Sequence, residues 1–404
     1  WLGCAFMSVS IAQYRQSILA LQDKAYFNYG GQGPMGRDAL DAIHTAHRTI
    51  QTQGPFGSAV NRWMQTEGEK TRRVLAEDLG VAPQTIVLTE DVTVGCNVAL
   101  WGISWQRGDH VLLSDCEHPG IIATVRELQR RYGIEISFFP HLSQLNRCNP
   151  VATIQSHLRP TTRLLVISHI LWNTGQVMPL TQICQLCHGR SQPVRVLADA
   201  AQSVGMLPLE LAETGVDFYA FTGHKWYCGP AGLGGLYVSP GAMAELAPTF
   251  IGWRGITMGE QGEPTGWQPD ARRYEVATSN VALCSGLRTA IAGHNNWGTT
   301  EERYFRICQL SSSLWGKLNS LRPVQCLLKS PPESGLVSFQ IFQEGDSSPE
   351  LHQQLVVYLE SQQFFLRTLL SPSCVRACTH YFTTELEIDR LVDQIEVFLR
   401  NHGL

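Results

Sequence analysis

The stretch "VRVLADAAQSVGMLPLELAETGVDFYAFTGHKWYCGPAGLGGLYV", residues 194–238, sets the frame for the whole chain. It carries three short apolar runs, "VRVLAD" (194–199), "DFYAF" (217–221) and "LGGLYV" (233–238), each bounded by turn residues. Runs this continuous in apolar character read as strands buried on both faces. The first run ends on Asp199, and the second leads into Lys225, just before a glycine-rich turn. A solvated helix lysine would sit among other charges, but Lys225 sits among Thr222, Gly223, His224 and Trp226.

Moving outward, the runs continue upstream as "TIVLT" (85–89), "HVLLS" (110–114), "EISFF" (135–139) and "RLLVIS" (163–168). Helical spacing fills gaps between them, notably over 120–132 and 179–189. Strand–helix alternation predicts an α/β fold with a mostly parallel sheet covered on both faces. Ligands then bind at the carboxyl ends of the strands and the N-termini of the following helices.

Beyond about residue 275 the pattern changes. A helical stretch (281–320) precedes the strands "GLVSFQIF" (335–342) and "CVRAC" (374–378), and Thr384 and Glu387 form a capping box before a last amphipathic helix. The expected organisation is a large domain over 26–275 and a smaller α+β domain over 276–404. An N-terminal segment, 1–25, packs with the small domain through a helix at about 9–22.

Composition narrows the function. With 404 residues, a net charge of −4, 44% hydrophobic and 16% charged residues, the chain suits a folded soluble protein without a basic field for nucleic acid or membranes. The start, "WLGCAFMSVSIAQYRQ", lacks the cationic region of a signal peptide, and the twelve scattered cysteines read as free thiols, so the cytoplasm is the expected compartment. Cys184, Cys187 and His188 match a haem-attachment spacing, but Leu180, Ile183, Cys184 and Cys187 form one apolar helix stripe. Packing is the better account, and no metal site is expected.

Four strand ends gather chemistry. Asp199 and Gln202 follow one strand, Val92 and Thr93 open a helix after another, His118 follows a third, and Thr222, His224 and Lys225 follow a fourth. A lysine for a Schiff base, an acid for a pyridinium nitrogen and a helix N-terminus for a phosphate are the parts that pyridoxal phosphate requires.

The ordered Asp-x-x-Gln and Thr-x-His-Lys elements resemble the fold-type I pyridoxal-phosphate enzymes of the class V aminotransferase group, within it the cysteine desulfurase-like proteins. The likeness runs from "YFNYGGQGPM" (26–35) to "FTTELEIDRLV" (382–392). It implies that Lys225 carries the cofactor, Asp199 faces its ring nitrogen, Gln202 its ring hydroxyl and His118 its face. Val92, Thr93, Thr222 and His224 would hold the phosphate. Thr278 would reach the phosphate of a neighbouring subunit in a homodimer with shared sites, and Arg376 would clamp the substrate α-carboxylate. Asn173 is offered near the cofactor hydroxyl, with Trp172 at the position the family gives to asparagine.

Desulfurases place a nucleophilic cysteine on a mobile loop before the carboxylate-binding arginine. Here "FFLRTLLSPSCVRAC" (364–378) is short, and its cysteine, Cys374, lies two residues before Arg376 on one face of a strand. That departure favours the cyst(e)ine C–S lyase branch: β-elimination of L-cystine, and more slowly L-cysteine, giving pyruvate, ammonia and a persulfide or sulfide. A sulfur acceptor, as in iron–sulfur cluster assembly, would be a partner. Arg367 would meet the distal carboxylate of a two-headed substrate. The alternative is a desulfurase or selenocysteine lyase that forms alanine.

Overall fold

The computed structural model describes residues 10–404. Seven strands form the larger sheet: β1 (Ile86–Thr89), β2 (His110–Ser114), β3 (Glu135–Phe139), β4 (Thr162–Ser168), β5 (Arg195–Asp199), β6 (Phe218–Thr222) and β7 (Gly234–Val238). Their order is β1-β7-β6-β5-β4-β2-β3, and β7 alone runs against the rest. All seven coincide with the apolar runs to within a residue or so.

The two faces of this sheet explain why those runs lack alternation. Leu164, Val166 and Leu197 point into one core, while Leu165, Ile167, Val196 and Ala198 point into the other. Each such Leu, Ile or Val side chain contributes about 1.5–3 kcal/mol by leaving water, so polar residues on either face of these inner strands would be costly. The covering helices include α3 (Ser58–Asp78), α4 (Val92–Gly102), α5 (Pro119–Tyr132) and α6 (Leu180–His188), while α1 (Ile11–Ser17) and α2 (Arg37–Gln53) pack against a later helix. The buried residues of α6 are Leu180, Ile183, Cys184 and Cys187, so its CxxC spacing is core packing.

A second, antiparallel sheet joins β8 (Val324–Cys326), β9 (Leu336–Gln343), β10 (Arg367–Leu370) and β11 (Ser373–Cys378) in the order β8-β9-β11-β10. The expected helix over 281–320 is two helices, α7 (Ala282–Trp297) and α8 (Thr300–Asn319). Between them Gly298 is extended, and Thr299 starts α8 with a capping box to Glu302. Helix α7 packs on α2 and α3, and α8 on the second sheet. The last helix, α9 (Glu385–Asn401), has the Thr384–Glu387 capping box read from the sequence.

The N-terminal segment is a short α1 followed by a 3-10 turn, Leu19–Leu21; residue 9 of the expected helix lies outside the described residues. Arg15 grips Glu387 of α9 through two hydrogen bonds of 2.8 and 2.7 Å. Ala25 and Tyr26 pair in parallel with Phe364 and Phe365. The start of the described chain is thereby fastened to its end.

Candidate active site

The strand order brings the carboxyl ends of β1, β6, β5, β4 and β2 to one edge. Thr89, Gly234 and Thr222 are register partners across β1, β7 and β6. That row sets the start of α4 beside Thr222 and His224. Asp91 caps α4 by accepting from the Val94 N–H at 2.9 Å, and among the described residues the Val92 and Thr93 N–H groups have no acceptor. The Thr222 hydroxyl and His224 Nδ1 are 2.6 Å apart. A Cβ on Gly234 would lie 3.0 Å from Thr222 Cα and 3.1 Å from Asp91 Cα, so only glycine keeps this floor open. Free N–H groups at a helix start with a hydroxyl and an imidazole beside them suit a phosphate.

Asp199 ends β5 and is 5% exposed, its Oδ1 accepting from the Ala201 N–H at 3.0 Å. No cation pairs with it among the described residues, and burial raises its pKa. Lys225 is partly exposed, and among the described residues Nζ has neither hydrogen bond nor ion pair. Removal from water, opposed by Asp199, lowers its ammonium to about 8.

The backbone around Lys225 is fixed from several sides. Gly33 donates its N–H to the His224 carbonyl at 2.8 Å, and a Cβ there would lie 2.2 Å from the Lys225 carbonyl oxygen. Nε2 of His380 lies 3.0 Å from the Trp226 carbonyl, and Nε2 of His294 lies 2.8 Å from that of Tyr227. Burial pushes both imidazoles far below their usual range, His294 to about 3. They are therefore neutral and can donate Nε2–H.

His118 caps α5, its Nδ1 accepting from the Gly120 N–H at 3.2 Å, which places the proton on Nε2. Its exposed ring meets the Trp172 ring edge-on, with centroids 5.8 Å apart. Gln202 is buried and already engaged: Nε2 donates to the Gly30 carbonyl and Oε1 accepts from Trp226 Nε1, both at 2.9 Å. One Nε2 proton is left for a ligand. Gln202 thus also joins the glycine loop to the segment after Lys225, a task the sequence did not disclose.

Arg376 is 1% exposed on β11. Its Nη1 donates to the Trp172 carbonyl at 2.7 Å, while among the described residues Nε and Nη2 are buried without partners. Gly30 makes room for it, since a Cβ there would lie 2.8 Å from the guanidinium carbon. Arg367 on β10 is the direct register partner of Arg376, so both side chains stand on one face of the hairpin. Partial burial and the nearby Arg376 lower its pKa. Asn173 donates from Nδ2 to the Ser371 carbonyl at 3.0 Å, leaving Oδ1 buried and unpartnered. The Trp172 side chain turns elsewhere, donating Nε1–H to the Cys116 carbonyl at 3.0 Å.

Cys374 is fully buried in β11, and burial raises its thiol to about 12. Thr278 stands apart in an exposed segment, 276–280, anchored by buried Glu275, which accepts from Arg72 and Arg254 at 2.7 and 2.9 Å. Among the described residues no cluster of His, Cys, Asp and Glu could hold a metal.

The model of the family described as aminotransferase class V matches residues 38–391. The chain belongs to the class V aminotransferase family. Among relatives in this family, isopenicillin N epimerase of Streptomyces clavuligerus is 27% identical, covering 91% of this chain and 93% of its own. Cysteine desulfurase IscS of Shewanella woodyi is 29% identical, covering 92% and 91%. A solved structure of the cystine C–S lyase C-DES with its reaction product cysteine persulfide is 48% identical, with a TM-score of 0.90, covering 93% of this chain and 98% of that one. A C-DES mutant with glycine covalently linked to the pyridoxal-phosphate cofactor superposes with a TM-score of 0.91 at the same 48% identity. The architecture, a large mostly parallel sheet with a smaller antiparallel one, is fold type I of this family.

Proposed function

We propose that this class V family member is a pyridoxal-phosphate-dependent C–S lyase that cleaves L-cystine to pyruvate, ammonia and cysteine persulfide, and L-cysteine more slowly. The residues fit the cofactor: among the described residues Lys225 has an amine without a partner, Asp199 is buried without a cation, and Val92 and Thr93 offer free N–H groups beside Thr222 and His224. Lys225 would hold it covalently, Asp199 would accept its ring N–H, and the His118 ring would cover its face. Bound there, pyridoxal phosphate supplies an electron sink for the pair left on Cα when its proton is removed.

The chain's own groups do the rest. Arg376 Nε and Nη2 receive the α-carboxylate bidentately while Trp172 holds Nη1. Once the substrate amine has displaced it from the cofactor, Lys225 Nζ would take the Cα proton. Cβ–S then breaks with its electron pair leaving on sulfur, and a persulfide anion leaves more readily than a thiolate. Water converts the three-carbon fragment to pyruvate and ammonia, so no oxidant is needed.

One observation carries the substrate reading. The β10–β11 hairpin turns through Ser371 and Pro372 alone, with Arg367 paired to Arg376 and Cys374 locked in the strand. Two like charges directly opposite each other are unfavourable unless an anion lies between or beside them. A substrate with two carboxylates supplies that, and the hairpin has no free loop on which a persulfide-carrying cysteine could travel.

We infer a homodimer from exposed apolar residues near Thr278: Phe250, Ile251 and Trp253 are 63%, 59% and 61% exposed, with Trp267 and Val276 also uncovered. Thr278 would act in the partner's site. Free cysteines throughout the described residues suit a reducing compartment, the cytoplasm, and no described helix is long and apolar enough to cross a membrane.

The test is the visible spectrum of the purified protein before and after L-cystine, with the products assayed. A cofactor band with pyruvate release supports the lyase, and alanine in place of pyruvate moves the assignment to a desulfurase, as the IscS relatives would suggest. Absence of any band after reconstitution overturns the role of Lys225.

A further inference from the structure

The chemistry above leaves one buried acid unused. Glu117 precedes His118, is 3% exposed, and has no cation within ion-pair distance among the described residues. Its Oε1 accepts from the Ser168 N–H at 3.1 Å and from the Ser114 hydroxyl, and its Oε2 lies 2.8 Å from Ser168 Oγ. Ser114 ends β2 and Ser168 ends β4, so one carboxyl clasps two adjacent strand ends and the turn that carries His118.

Its electrostatic neighbours share its sign or are uncharged. Ser168 is the ladder partner of Asp199, which puts the two acids one strand apart. Cys96 of α4 and Cys116 of its own turn also face it, and burial raises both thiols well above their usual range. Lys225 and His118 interact with Asp199 instead. Two buried carboxylates this close, with one cation's worth of partner at the ring nitrogen, cannot both stay ionised cheaply.

We propose that Glu117 is a positioning residue that works as a neutral acid, tying the His118 turn to β4 so that the imidazole is held over the cofactor, and leaving Asp199 as the site's one carboxylate. The role of His118 over the cofactor rests on the function proposed above. Burial, opposed by the two serine hydroxyls and reinforced by Asp199, raises the Glu117 carboxyl to about 7, which agrees with a proton held at the ends of β2 and β4.

Glu117→Gln keeps the shape and hydrogen-bonding capacity of the neutral acid, whereas Glu117→Ala removes the clasp. The first measurement uses cofactor-free protein, melted at a series of pH values. The folded state holds a proton on Glu117 that the unfolded chain gives up above about pH 4.3. Wild-type stability therefore falls as pH rises from there towards about 7, and Glu117→Gln should flatten that fall. An unchanged slope in Glu117→Gln would overturn the neutral-acid assignment.

The second measurement is visible circular dichroism after loading with pyridoxal phosphate. Glu117→Gln should keep the wild-type band, and Glu117→Ala should lose several-fold in amplitude and release cofactor faster. A full band in Glu117→Ala, or equal loss in both variants, would overturn the positioning role. No band in any protein would overturn the cofactor reading and the positioning role with it, while the melting series would still decide the proton.

Discussion

Replacing Arg376 by methionine separates binding from stability in a way the structure quantifies. The guanidinium makes one bond to the protein, Nη1 to the Trp172 carbonyl, while Nε and Nη2 are buried and unpartnered. Methionine fills similar volume without a charge. The loss of one charge-assisted bond and the orphaned carbonyl cost about 1–3 kcal/mol each. Relief of a buried, half-satisfied cation returns a comparable amount. Net stability should therefore move by no more than about 2 kcal/mol, read as the midpoint of urea unfolding. Binding behaves differently, because two bonds to a carboxylate at about 1.5–3 kcal/mol each disappear. That predicts a loss of roughly 10²–10⁴ in kcat/KM for cystine. A variant that melts early yet turns over cystine at the wild-type kcat/KM would refute the reasoning, since Arg376 would then be a structural cation.

Four further outcomes follow from individual contacts. Arg367→Ala should reduce kcat/KM for L-cystine more than for L-cysteine, and equal losses would remove the distal-carboxylate role. Gly234→Ala puts a Cβ 2.4 Å from the Phe221 carbonyl oxygen; overpacking of this kind costs about 1–3 kcal/mol, and cofactor affinity measured by spectral titration should fall with it. In cofactor-free protein the lowered Lys225 ammonium loses its proton before the unfolded chain does. Stability should hence gain between pH 8 and about 10.4, and Lys225→Met should remove that gain in pH-dependent melting. Glu275→Gln leaves Arg254 without its carboxylate and Arg72 with Glu69 alone at 3.6 Å, costing about 3 kcal/mol and loosening the segment before Thr278; gel filtration should then show a weakened dimer.

The fold is legible where burial is two-sided, because the inner strands, with apolar residues on both faces, leave a continuous signal in the sequence, while the edge strand β3, with only Phe139 buried, is marked by its aromatic and β-branched residues. The Thr384–Glu387 capping box is equally local and was readable for that reason. Helices α2 and α3, with polar residues over most of their surface, carry no comparable signal, and the break between α7 and α8 hides in a glycine and a threonine inside helical spacing. In the site, strand-end chemistry marked Asp199, His118, Thr222 and Lys225. The cluster "YGGQGP" (29–34) carried a visible glycine signal whose purpose needed coordinates: Gly30 faces Arg376 and Gly33 faces the Lys225 carbonyl. Glu117 gave no signal at all, since its partners Ser114 and Ser168 meet it only through the order of β2 and β4.

The fastening of the chain's start to its end sets an order in time during synthesis. Arg15 finds Glu387 across 372 positions, and Ala25 pairs with Phe364. Domains fold as their segments leave the ribosome, N-terminal parts first. The strands that carry Asp199 and Lys225 are thus complete while Arg15 and Ala25 still lack their partners, and Gly30 cannot yet face Arg376, which has not been made. The residues proposed to hold the cofactor are therefore made, and their strands paired, before the arginine proposed to receive a substrate carboxylate exists.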